Sequence, residues 1–170
     1  MATSRIDGNV HIVENLSIGG SLAIPSGTVT DDDVLAATGV AASKLEHQFI
    51  KHHSQESGTK SAAMAHTIHT VYGATGTIQG FEAGTTTLCT DTATVTVDLV
   101  LNRAGTTASC LDAVITLDSG NTVYLPETGT VTTTALLADD TMEVVYTSAD
   151  GGGAAGKGAF ASMILREDAD

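Results

Sequence analysis

The chain of 170 residues contains no tryptophan, and aromatic residues make up only 4% of it. Ring-lined pockets depend on such side chains, so a large aromatic cofactor or substrate site is disfavoured. Basic residues are scarce as well: 7 Lys+Arg stand against 20 Asp+Glu, a formal net charge of −13. A surface this acidic repels a phosphate backbone, which argues against nucleic acid as a partner. No apolar leader follows Met1-Ala2-Thr3-Ser4-Arg5, and no run of about 18 apolar residues occurs, so neither export by a leader nor a membrane span is expected. The two cysteines, Cys89 and Cys110, follow no metal-binding spacing. In a cytoplasmically made protein they are expected as small apolar side chains rather than a disulfide.

Hydrophobic residues make up 42% of the chain, drawn mainly from Val, Leu, Ile and Ala, and Thr is abundant. β-Branched residues of this kind suit a half-buried pleated surface. From residue 65 onward the apolar pattern has period two. Val95, Val97, Leu99 and Leu101 share one face of a strand, and Leu111, Ala113, Ile115 and Leu117 mark the inward face of the next stretch. Turns are expected at Gly73-Ala74-Thr75-Gly76, Asn102-Arg103-Ala104-Gly105 and Asp118-Ser119-Gly120-Asn121. Further short strands are expected over 77–81 (ended by Glu82-Ala83-Gly84), 122–125, 131–137, 141–147 and 159–166. About eight short strands at this spacing predict an all-β fold, an antiparallel β-sandwich of jelly-roll type, over residues 65–166. An acidic tail follows over 167–170.

The region before it has a different character. Leu16-Ser17-Ile18-Gly19-Gly20-Ser21 is echoed by Leu22-Ala23-Ile24-Pro25-Ser26-Gly27. Two short β-rungs cannot bury their apolar edge alone, so residues 1–30 read as an extended β arm that winds with sister subunits or lies on another protein, the alternative being an extra hairpin folded back on its own β domain. Residues 31–64 read as a short helix and a His-rich linker. Thr30 or Asp31 caps the helix, Asp31-Asp32-Asp33 sits at its positive end, and Val34, Ala37, Val40 and Leu45 fall near helical spacing. Helical character is expected to reach about His53, before Ser57-Gly58-Thr59 breaks it.

The stretch Asp33-Val34, Gly39-Val40-Ala41-Ala42, Ser43-Lys44-Leu45 resembles a motif of tailed-bacteriophage virion proteins that joins an attachment region to a β-rich distal domain. The layout of arm, motif and C-terminal β domain most resembles phage capsid decoration (cement) proteins. The resemblance implies a homotrimer bound to the major capsid protein on the outside of the virion, assembled in the host cytoplasm, with no cofactor. The expected capsid or subunit contacts are Leu16, Ile18, Leu22, Ile24, Val34, Val40 and Leu45. The alternative is a head or tail fibre adhesin that binds a host-surface receptor or glycan, with Tyr72, Tyr124, Tyr146 and Phe81 as the available ring platforms.

Candidate chemistry is thin. His47 and His52 are five residues apart and miss the spacing that puts two zinc ligands on one helical face. They read with His53 as solvated linker residues, the alternative being convergence on a trimer axis. His66 and His69 have opposite parity on a strand and are expected on opposite faces. Asp98, Asp112 and Asp118 read as outward charges. The run from Gly151 to Gly158 lacks the Ser/Thr that follows the lysine of a phosphate loop, and it precedes a strand, so it reads as a flexible loop. No serine occupies a nucleophile elbow, and the chain is read as a non-enzyme.

Overall fold

A computed structural model describes residues 47–72 and 75–167 of the chain. The arm over 1–30 and the helix over 31–45 lie outside them. So do residues 73 and 74 of the expected turn and residues 168–170 of the acidic tail.

Ten strands follow one another: β1 (His47–Ser54), β2 (Met64–Thr70), β3 (Thr75–Thr87), β4 (Thr94–Arg103) and β5 (Thr106–Ser109). Then come β6 (Ile115–Leu117), β7 (Glu127–Gly129), β8 (Ala135–Leu137), β9 (Thr141–Ala149) and β10 (Lys157–Glu167). They form two antiparallel sheets. One has the order β1-β10-β3, with β7 and β8 both pairing with the far side of β3; the other has the order β2-β9-β4, with β5 and β6 both pairing with β4. Taking β5 and β6 as one interrupted strand, and β7 and β8 as another, the pairing is nested. The first strand pairs with the last, the second with the second-last, and so inward, with successive pairs in alternate sheets. That nesting is the jelly roll.

The inward alternation follows the sequence closely. Val95, Val97 and Leu99 are fully buried, as are Met142, Val144 and Tyr146 of β9 on the same sheet. From the other sheet Ile78, Phe81, Met163 and Leu165 complete a single apolar cluster. Both cysteines are buried and unbonded within it. The hairpin expected at 102–105 forms between β4 and β5, with Ala104 and Gly105 at φ 51° and 81°. Positive φ at both positions lets a two-residue loop follow the right-handed twist of its strands, and the Asn102 side chain accepts the Gly105 N–H at 3.1 Å.

Several local expectations differ from the structure. Residues 47–54 are a strand rather than a helical linker, so the sandwich begins at His47 instead of residue 65. The physical reason is β10, whose outer edge would otherwise present a row of unpaired backbone groups; β1 covers it residue by residue, from His47 opposite Glu167 to Ser54 opposite Phe160. β3 does not end at Glu82-Ala83-Gly84 but runs on to Thr87. Gly84 is there because the Phe160 ring of β10 lies across it: a Cβ would come within 2.5 Å of that ring. Residues 122–125 are a loop, not a strand, in which Tyr124 has φ 61° and Leu125 N–H turns back to Thr122 O. Of 131–137 only a single bridge at Val131 and the short β8 are extended. Ala113 is exposed, since β6 starts only at Ile115.

One buried carboxylate ties the strand ends together. Asp140 is 2% exposed and receives the Arg103 guanidinium at 2.6 and 2.9 Å and the Leu137 N–H at 2.7 Å. Its backbone carbonyl accepts the Val71 N–H at 2.9 Å. One residue therefore joins the β8–β9 turn to the end of β4 and to the segment after β2. The Arg103 hydrogen bonds hold the Asp140 carboxyl below the ordinary carboxylate range, against the opposing effect of burial.

Two outcomes are expected. Leu99→Ala, which removes a fully buried side chain from the centre of β4, costs about 3 kcal/mol in denaturant unfolding. Because the folded pKa of Asp140 lies below its ordinary 3.8, its contribution is complete above that pH and is lost as pH falls below it. Asp140→Asn should lower the melting temperature at neutral pH and flatten the acid limb of the stability profile.

Candidate functional site

The contacts expected on the arm and helix, Leu16, Ile18, Leu22, Ile24, Val34, Val40 and Leu45, lie outside the described residues. The sandwich itself offers a histidine-lined margin, an open polar cleft and an exposed apolar loop.

The margin lies where β1 and β2, the first strands of the two sheets, face each other. On β1, Phe49, Lys51 and His53 stand opposite the buried Leu165, Met163 and Ala161 of β10, which places them inward. Gln48, Ile50 and His52 alternate outward, and Ile50 is 67% exposed. His52 and His53 therefore do not form a pair, because neighbouring residues on a strand point to opposite faces. On β2, His66 stands opposite the buried Val144 and His69 opposite the buried Met142. By register both stand on the same side of β2, contrary to the expectation from their parity; His69 is largely buried there, whereas His66, nearer the start of the strand, is exposed. A register shift between Thr67 and His69 adds one residue, and a bulge of this kind reverses the alternation beyond it.

This brings together side chains far apart in the sequence. The His53 and His66 rings have centroids 4.2 Å apart and planes 32° apart. His53 Nδ1 is 3.2 Å from the Tyr146 hydroxyl, which also donates to the His53 carbonyl at 3.3 Å. Burial pushes the Tyr146 phenol well above its ordinary range, so it remains a neutral O–H donor. Burial, with a smaller contribution from His66, lowers the pKa of His53. At the other end of the margin His69 Nε2 meets Glu167 Oε1 at 2.6 Å, with both side chains largely buried. Glu167, expected in a free acidic tail, is thus the last residue of β10 and an inward ligand of His69. No local sequence signal announces any of these pairs, because each joins strands from different parts of the chain.

The cleft, about 290 Å³, opens between β6 and β7 and includes Asp112, Asn121 and Glu127. Asn121 Nδ2 donates to Glu127 Oε1 at 2.9 Å and Asn121 Oδ1 accepts the Asp118 N–H, so these groups satisfy one another across the loop. Beside it in sequence, Val123, Tyr124 and Leu125 are exposed. Of the ring platforms considered for a glycan, Tyr146 and Phe81 are buried and only Tyr72 and Tyr124 reach the surface. Among the described residues no group of three His, Cys, Asp or Glu side chains is placed to hold a metal ion. Asp98 faces outward and accepts the Ser109 hydroxyl at 2.7 Å.

The glycine run is anchored rather than floppy. Gly152 N–H donates to Thr92 Oγ1 at 2.9 Å, Ala154 N–H to Thr90 Oγ1 at 2.8 Å and Gly156 N–H to Cys89 Sγ at 3.1 Å. These donors point into the protein, not toward a phosphate. Glycine is required at 153 because a Cβ there would collide with the Thr90 carbonyl oxygen. No family model, curated protein or solved structure matches this chain.

Cys110 is fully buried, and that burial pushes its thiol up to about 11. With Cys89 only 3% exposed, both thiols should resist a thiol reagent at about pH 8 in the native protein and react together on unfolding.

Proposed function

We propose that the chain is a capsid decoration protein of a tailed phage, which binds the outer surface of the mature shell as a homotrimer and stabilises it. The observation that carries this reading is the junction at residues 45–47. The virion-type signature ends at Leu45 and the first strand of the jelly roll starts at His47, so a single residue separates the two in the sequence. Jelly rolls recur in viral capsid and lectin domains, which fits the reading without deciding it. The formal charge of −13 suits a protein held outside the shell, away from packaged genome.

Stabilisation follows from linkage: a protein that binds only the expanded lattice shifts the equilibrium toward that lattice in proportion to its occupancy. In this role the apolar rungs Leu16, Ile18, Leu22 and Ile24 and the motif residues Val34, Val40 and Leu45 make the contacts with the major capsid protein and sister subunits. The chain acts as a structural protein, not a catalyst. The adhesin alternative keeps only Tyr72 and Tyr124 as exposed rings.

Any truncation must start before His47, because a cut at Ser57 removes β1 and bares the edge of β10. Removal of residues 1–30 should abolish binding to shells of the encoding phage that lack the protein. It should leave the circular dichroism of the sandwich and its unfolding midpoint unchanged. Decoration by the truncated protein would remove the arm from the mechanism.

A further inference from the structure

The margin between β1 and β2 is built unlike the rest of the sandwich. Elsewhere the facing rows of the two sheets are largely apolar, but here the rows on the facing side carry Lys51 and His53 on β1 and His66 and His69 on β2. Among the described residues, the charged or titratable side chains facing this margin can be named. Tyr146 comes from β9 and is hydrogen-bonded to His53; Glu167 comes from the end of β10 and is paired with His69. Lys51 on β1 lies with its ammonium 5.2 Å from the Phe49 ring centre. Beyond Ser54, the Glu56 and Lys60 side chains line the groove of about 280 Å³ in which His53 forms one wall. Glu56 accepts the Thr59 hydroxyl and Lys60 is held by Asp150 at 2.6 Å, while the side-chain hydrogen bond of His53 goes to Tyr146.

The carboxylate at this margin therefore serves His69 and not the His53–His66 stack. Two neutral imidazoles at 4.2 Å attract as stacked rings. Two imidazolium rings at that separation repel. At the other end of the margin the His69–Glu167 contact at 2.6 Å ties β2 to the end of β10. A shared metal ion is a poor alternative, because ligating rings turn their nitrogens toward a common centre, whereas these two lie ring over ring.

We propose that the His53–His66 stack is an acid-sensitive latch: below about pH 6 the β1–β2 margin opens at the His53 end, hinged on His69–Glu167, while β4, β9 and β3 keep their pairing. The sign agrees with burial of His53, whose pKa is lowered from 6.5. A histidine buried neutral contributes stability that is complete above its ordinary pKa and is lost as pH falls through it. The latch is independent of the capsid assignment. It does place the change on β1, the strand that continues directly from the N-terminal segment.

Hydrogen exchange on the full-length protein tests the latch, comparing about pH 7.5 with about pH 5.5 after correction for intrinsic rates. Protection over residues 50–54 and 64–67 should fall by about tenfold at the lower pH, with β4 unchanged within about twofold. His66→Phe keeps a ring in the stack but cannot be charged, and it should hold the loss to less than about threefold. Should that variant fold poorly, His66→Gln serves the same purpose. His52→Gln, on the outward face of β1, should respond like the parent chain. Unchanged protection in the parent protein would overturn the latch, as would an equal loss over β4 or a full response in the uncharged variants.

Discussion

Burial of alternate residues on two facing sheets is the constraint on which this protein depends. With no tryptophan and few other rings, the core must be filled by aliphatic side chains, each contributing roughly 1.5–3 kcal/mol when removed from water. Val95, Val97 and Leu99 meet Phe81, Met163 and Leu165 in one cluster, and that cluster needs β3, β4, β9 and β10 in a single relative placement. A slip of one residue in any of them would turn its apolar row to solvent. The nested antiparallel pairing is the topology that satisfies this demand while leaving few bare edges.

Polar groups mark the places where the constraint ends. Asp140 sits where β8, β4 and the segment after β2 come together, and its carboxylate is satisfied from two sides by Arg103 and Leu137. The β1–β2 margin is the other such place. There the inward rows pass from aliphatic to titratable residues, so cohesion depends on protonation state as well as on area. Glycine marks a third limit: the 151–156 loop approaches Thr90 and Thr92 so closely that side chains are excluded at Gly151 and Gly153. Its N–H groups are consumed in that packing.

This architecture is compatible with several functions, since sites are grafted on folds rather than implied by them. The case for a virion role rests on the signature at 33–45, on its direct junction with the first strand and on an acidic surface suited to the outside of a shell. In that proposal the sandwich is the outward body, and its loops carry the surface for any further contact.

The sequence by itself determined the fold class, the inward face of β4, the Ala104-Gly105 hairpin and the buried state of the cysteines. Each of these depends on local periodicity or on residue chemistry within a few positions. Only tertiary structure decided the rest. The 47–54 segment has helix-compatible residues and becomes a strand because β10 needs an edge partner, which no local pattern encodes. Glu82-Ala83-Gly84 looks like a stop, yet the strand continues because Phe160 from the far end of the chain lies over Gly84. His66 and His69 came to one face through a one-residue bulge, and His53 joined them from another sheet. Periodicity reports what a segment buries; the partners it finds there are set by strands distant in the chain.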